Sequence, residues 1–302
     1  MKKFTLAIAA LAAASGLHAS DQYSFTPKSL DCFYLTETQY NTFNLDGEDN
    51  EAFWASVEAV DVNQFPSNWG GEPSPLNGSF GAKFKAVYDE YNMYLMIYVT
   101  DGTPVWYDGK VGYTAADNVE LFFSQAERPA PDSEERDANG SQLRLHPNYT
   151  AVPNFVSGGR FAGGLIVDGI LSGCEYVTKV NDNGYTVEAI VPWDGVIGKE
   201  NYNITKDATV LFDVSIADCH ELGGNRLNIL NWSDDTYNGW KYHSRLGNLV
   251  LKGDLQAGVN SVEADNSSAA AVYYDIAGRR VANPEKGLYI RLQNGKASKV
   301  AL

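Results

Sequence analysis

FKAVYDEYNMYLMIYVTDGTPVWYDGKVGYTAADNVELFF, residues 84–123, is the stretch that decides the fold. Phe84, Ala86 and Tyr88 alternate with Lys85 and Val87, and Asp89, Glu90, Tyr91 and Asn92 supply turn-forming residues before an aromatic and β-branched run from Met93 to Val99. The pattern predicts a hairpin. Its second strand sends Leu95, Ile97 and Val99 to one face and Tyr94, Met96 and Tyr98 to the other, so both faces are covered, as in a central strand. A loop over 101–116 leads to a further strand from Asn118 to Phe123. There Val119, Leu121 and Phe123 share one face while Asn118, Glu120 and Phe122 share the other, and an acid inside a strand needs a reason.

Outward from this stretch the same period of two recurs. In Gln142–His146, Leu143 and Leu145 face the core and Gln142, Arg144 and His146 the opposite side, which suits a wet, concave sheet face. Tyr185–Val191 alternates too, and Val210, Phe212, Val214 and Ile216 point inward with Asp213 and Ser215 outward. The aromatics of residues 20–44 suit an edge strand. Residues 63–79, which hold Trp69, and residues 126–140 are rich in turn-forming and polar residues and read as loops. The Gly-rich segment 157–174 lacks the G-K-[ST] ending of a phosphate loop and reads as turns between short strands. Few stretches have helical periodicity over ten residues, so the chain is all-β, an antiparallel β-sandwich of about ten or more short strands.

Of the 302 residues, the first nineteen read as a secretory signal peptide: Lys2 and Lys3, an apolar run from Phe4 to Leu17, and Ala19 at a cleavage point. The expected divisions are 1–19 signal peptide, 20–252 sandwich, 253–270 small-residue and acidic linker, and 271–302 a small β tail. Loss of the two signal-peptide lysines takes the net charge from −15 to −17, which disfavours nucleic acid and acidic membranes but not neutral sugars. No later stretch approaches a membrane span. Three cysteines, Cys32, Cys174 and Cys219, make no disulfide framework, and a bridge between Cys174 and Cys219 is left open.

The ordered set Leu45-Asp46-Gly47 with Glu51-Ala52-Phe53-Trp54, Val99-Thr100-Asp101, Asp117-Asn118-Val119-Glu120-Leu121-Phe122-Phe123, Tyr185 to Trp193, Phe212 to Asp218, Asn231-Trp232-Ser233-Asp234 and Leu246 to Leu251 resembles carbohydrate-binding module family 9, a DOMON-like β-sandwich. The similarity spans roughly residues 40–252. It implies two aromatics around one sugar at a glycan chain end: Tyr113 is the better match to the first, with Trp106 its rival, and Trp232 or Trp240 to the second. It also implies Glu120 and Arg144 as sugar-contacting residues, with His146 where an amide is usual. Structural calcium is a further implication, with Asp46 and Asp218 as candidate ligands of the hard, oxygen-rich kind.

The expected partner is therefore a neutral glycan of xylan or glucan type, gripped by flat rings and planar polar groups. Six Trp and eighteen Tyr supply the rings, and each taken singly is as readily a core residue. Glu120 and Arg144 also have a plainer reading, an ion pair across neighbouring strands. A glycosidase would need two carboxylates about 5–9.5 Å apart, and Asp117 and Glu120, three apart on one strand, point to opposite faces. Haem held between Met93 or Met96 and His146, His220 or His243 is a third class, and a structural adhesion module a fourth. The tail, with Val272-Tyr273-Tyr274-Asp275, Gly278-Arg279-Arg280-Val281 and Lys286 to Ile290, resembles the C-terminal sorting tail of type IX secretion substrates of Bacteroidetes, implying an extracellular or cell-surface address.

Overall fold

A computed structural model of the chain describes residues 25–66, 79–125, 127–129, 140–160, 169–198, 203–255, 272–275, 280–281, 284–293 and 296–301. The signal peptide, Trp69 and nearly all of the linker lie outside them. In chain order the strands are β1 (Ser29–Tyr34), β2 (Val60–Val62), β3 (Gly81–Tyr88), β4 (Asn92–Thr100), β5 (Asn118–Ser124), β6 (Ser141–Leu145), β7 (Phe155–Arg160), β8 (Gly169–Ile170), β9 (Glu175–Asn181), β10 (Gly184–Pro192), β11 (Thr209–Cys219), β12 (Arg226–Asn231) and β13 (Gly247–Asp254). Two one-turn helices, α1 (Glu37–Tyr40) and α2 (Trp193–Val196), interrupt them.

These strands form one curled sheet in the order β8-β7-β6-β5-β11-β13-β1-β3-β4-β10-β9, with β12 on β11 and β2 on β3. Its halves fold over each other like the two layers of a sandwich. Phe84 of β3 meets Phe212 of β11 with ring centroids 6.0 Å apart, and Phe123 of β5 meets Trp193 at 6.3 Å. The inward residues of both halves, among them Leu95, Ile97, Val119, Leu121, Leu143, Val187, Val214 and Ile216, make one apolar core.

The hairpin forms where the sequence predicts it. Asp89 closes the turn by accepting the Tyr91 and Asn92 N–H groups at 2.7 Å each, and its second oxygen accepts the Tyr94 hydroxyl at 2.6 Å. Both faces of β4 are covered: Leu95 and Ile97 lie in the main core, Tyr94 and Met96 in a second cluster with Leu35, Phe53, Trp54 and Val87. Met93 and Met96 are thus enclosed in separate apolar clusters. Cys32, Cys174 and Cys219 are three separate buried thiols, so the bridge left open in the sequence is not formed.

One expectation is corrected. β1 is not an edge strand but lies between β13 and β3, parallel to both. Ser29–Cys32 pairs with Asn248–Leu251 and Phe33–Tyr34 with Val87–Tyr88, while Tyr34, past an irregularity, also stands opposite Asp254 of β13. Its alternation serves both clusters, with Cys32 in the main core and Phe33 packed on the second.

Beyond the sandwich, β14 (Val272–Tyr274), β15 (Arg280–Val281), β16 (Leu288–Gln293) and β17 (Lys296–Ala301) form a separate four-stranded antiparallel sheet in the order β15-β14-β16-β17.

Candidate functional site

The face of β5 turned away from the core presents Asn118, Glu120 and Phe122 in a row, and its neighbours fix what stands beside them. Register places Arg144 of β6 and Ser215 of β11 opposite Glu120, and Gln142 and Asp213 opposite Phe122. Glu120 is fully buried yet central to a polar group. Its Oε1 accepts from Arg144 Nε at 2.8 Å and from Arg226 Nη2 at 2.5 Å, and its Oε2 accepts from Gln142 Nε2 and from the Tyr237 hydroxyl, both at 3.2 Å. Arg226 also donates to Asn118 Oδ1 at 3.2 Å and to the Tyr237 hydroxyl oxygen. Burial pushes the Glu120 carboxyl up, but the Arg226 and Arg144 charges outweigh it and hold the group down at about 2. With both oxygens engaged and the group ionised, Glu120 is no proton donor at neutral pH.

Aromatic side chains flank this row at each end. Tyr113, half-buried, lies beside Asn118, whose Nδ2 reaches the Tyr113 carbonyl at 3.5 Å. Behind it stand Tyr107, His146 and Phe155, with ring centroids 5.9, 5.9 and 6.0 Å from Tyr113. At the other end Trp240, also half-buried, packs on Phe122, Leu211 and Leu246.

Two nested carboxylates build the loop that carries Tyr237 and Trp240. Asp213, outward-facing on β11 but only 1% exposed, accepts the N–H groups of Trp232, Ser233 and Asp234 at 3.0, 3.0 and 2.7 Å. Asp234 in turn accepts from the Thr236 N–H and hydroxyl, both at 2.8 Å, and from the Asn238 and Gly239 N–H groups. Burial and then the neighbouring Asp234 charge push Asp213 up to about 7. Tyr237 sits at φ 53°, a left-handed conformation unusual for a bulky residue, and this double cap holds it there.

The structure sorts the sequence candidates. Glu120, Arg144, Tyr113 and Trp240 come to one face. Trp232 does not: it is 1% exposed, in contact with Phe84 and Phe212 at 5.6 and 6.1 Å, and Gly247 lies so close that a Cβ there would stand 2.4 Å from its ring. It is a core residue, held just after β12 by its N–H donating to Asp213 Oδ1 and the Val214 carbonyl. His146 is also corrected. Its ring is fully buried, 4.4 Å from Tyr107 with Nε2 2.9 Å from Ser157 Oγ, so it stands behind the aromatic shelf and not on the exposed face, and burial holds it down at about 4. Trp106 packs edge-on against Tyr185 at 5.2 Å on the rim of the main core, which leaves Tyr113 as the ring at this end. A cleft of about 440 Å³ lined by Asp61, Phe65, Phe80 and Tyr98 contains none of these residues.

Of the two metal candidates, only Asp218 joins a carboxylate cluster among the described residues. Asp218, Asp101 and Asp117 are all buried, with carboxylate oxygens within 4.8 Å of one another. Burial, and behind it the charges of Asp101 and Asp218, push Asp117 up. The carboxylate of Asp46 closes its own turn, accepting from Glu48 N and the Asn44 and Asn50 amides, while its N–H and that of Gly47 donate to Glu188 Oε2 at 2.9 Å each.

The family profile described as "Carbohydrate family 9 binding domain-like" matches residues 45–254, about two thirds of the chain and the whole of this face. The chain belongs to carbohydrate-binding family 9. Among curated relatives, the family 9 module is 27% identical over 217 residues to "Endo-1,4-beta-xylanase A" of Thermotoga neapolitana, covering 72% of this chain and 18% of the relative. It is likewise 27% identical over 216 residues to "Exoglucanase XynX" of Acetivibrio thermocellus, covering 71% and 17%. The chain therefore spans less than a fifth of the length of these relatives. A solved family 9 module from Caldicellulosiruptor kristjanssonii in complex with cellotriose superposes with a TM-score of 0.54 at 20% identity, covering 80% of this chain and 100% of that one, and its complex with glucose gives 0.54 at 20%, covering 77% and 100%. The fold of the module is thus the family's all-β sandwich. No helix among the described residues is long and apolar enough to cross a membrane.

Proposed function

We propose that the module is a non-catalytic binding domain that holds one end of a neutral glucan- or xylan-type glycan, between Tyr113 and Trp240 and over the Glu120–Arg144 pair. The observation that carries this reading is the buried carboxylate with four side-chain donors around it, flanked along its strand by a half-buried ring on either side. A pyranose presents apolar C–H faces to rings and hydroxyls to planar polar groups, and this strip offers both. Names of the curated relatives and the sugars in the family 9 complexes support the choice of glycan class. Replacing Tyr113 or Trp240 by Ala is expected to weaken binding of cello- and xylo-oligosaccharides at least tenfold in calorimetry, with little change in melting temperature. Normal binding by both variants would move the site elsewhere. Oligosaccharides with reduced or blocked ends test the preference for chain ends.

Calcium belongs to the same reading. The carboxylates of Asp101, Asp117 and Asp218 are hard oxygen donors crowded in a buried place, with His220 Nε2 3.5 Å from Asp218 Oδ2. A divalent cation held by the three would relieve their repulsion and brace the loop over 101–116 on which Tyr113 stands. A rise in melting temperature with calcium, lost in Asp218→Asn, is the expected result. For the tail we propose a role as an export address, which secretion of a reporter fused to residues 253–302 would test.

A further inference from the structure

The strip around Glu120 carries more positive charge than its one carboxylate balances. Two guanidinium groups, Arg144 and Arg226, lean on a single acid. Their hydrogen bonding is unevenly used. Arg144 spends only Nε on Glu120, and among the described residues its Nη1 and Nη2 donate to no protein acceptor, while its side chain keeps 18% of its surface open to solvent. Arg226 is 9% exposed, and its Nε has no partner. Among the described residues no second acid pairs with either guanidinium. Asp213 and Asp234 are occupied by backbone N–H groups of the 232–240 loop, and Asp117 accepts from Val105 N and Cys219 N within its own carboxylate group. His146, just past the end of β6, is held neutral first by burial and then by the Arg144 and Arg226 charges.

A free guanidinium edge presents two parallel donors at the spacing of a carboxylate's two oxygens. A neutral sugar can use them through its hydroxyls, but it cannot neutralise the surplus charge. Resting on the sugar-binding reading of this site, we propose that it takes a carboxylated sugar, a glycuronic acid residue, more tightly than the corresponding neutral sugar, with the carboxylate on the open Nη1/Nη2 edge of Arg144 and Arg226 supplying the second positive charge. The net negative charge of the whole chain opposes this only at long range, where salt screens it, whereas the pair acts at contact in a partly desolvated place.

The experiment titrates the full chain with glucose and glucuronic acid, and with galactose and galacturonic acid, by calorimetry or NMR at low and at high salt. Each uronate is expected to bind about tenfold more tightly than its neutral partner, the size of one charge-assisted contact, and the ratio should fall as salt rises. Arg226→Gln should bring the ratio towards one, and Arg226→Lys, which keeps the charge, should retain most of it. Equal affinities, or a preference for the neutral member at low salt, overturn the inference and leave the sugar site standing. A folded protein that takes neither kind of sugar overturns both.

Discussion

Glu120 and Glu188 are both fully buried, both mid-strand, and both on the face turned away from the main core, one in each half of the sandwich. Glu120 is surrounded by charged donors and sits at about 2. Glu188 accepts from Asp46 N, Gly47 N and Trp54 Nε1, all neutral, and burial lifts it to about 7, with Glu51 repelling it further. The first is wrapped in groups that retain unused donors towards solvent. The second is consumed by a turn and an indole that it fastens to β10. Burial of an acid in a strand is therefore ambiguous by itself; the charge and the spare valence of its partners separate a candidate binding centre from a fold staple.

The largest test of this contrast is Glu120→Ala. It leaves the partly buried Arg144 and Arg226 without their acid, and is expected to cost about 3–5 kcal/mol in chemical denaturation and to abolish sugar binding. Trp232→Ala should come next, about 3–4 kcal/mol, because the ring fills the core between Phe84 and Phe212; the surviving folded fraction should bind sugar normally. Glu188→Gln keeps an acceptor for the Asp46 and Gly47 N–H groups, so its cost should stay near 1 kcal/mol with binding intact. If instead Glu188→Gln loses binding and Glu120→Gln keeps it, the roles of the two acids are reversed.

Titration distinguishes the same two residues with opposite sign. Glu120 is depressed in the folded state, so its contribution is present above the ordinary glutamate range near 4.5 and is lost as pH falls from there through about 2. Glu188 is raised, so the folded state holds its proton more tightly; that contribution is complete below about 4.5 and is lost as pH rises through about 7. Denaturation curves at a series of pH values should therefore show Glu188→Gln flattening the fall in stability between about 4.5 and 7 while leaving the acid limb in place. Smallest of all, Trp240→Ala should shift stability by under about 1 kcal/mol, since its ring lies half-exposed at the rim, and its effect should appear in binding.

Much of the module was legible in the order of its residues. The alternation in 84–123 and in Gln142–His146 gave the hairpin, the covered faces of β4 and the Glu120–Arg144 pairing, because strand period is a local property and cross-strand partners follow from register. The rest depended on long-range closure. Arg226 reaches Glu120 across 106 residues, and nothing local marks it as different from any other basic residue at a strand start. Trp232 and Trp240 flank one loop with similar polar neighbours, and only the two aspartate caps and the close approach of Gly247 reveal which turns inward. Asp101 and Asp117 stood in the quoted motifs, but their meeting with Asp218 requires the ends of β4 and β11 and the start of β5 to converge.

The position of β1 carries a consequence for how the molecule comes into being. Its N-terminal half is zipped to β13, Ser29 opposite Asn248, so the first strand of the sandwich waits for the sandwich's last before its hydrogen bonds are complete. Closure of the curled sheet is then a late, slow event dominated by distant pairing, and a nascent chain halted before residue 247 exposes unpaired strand edges that invite aggregation.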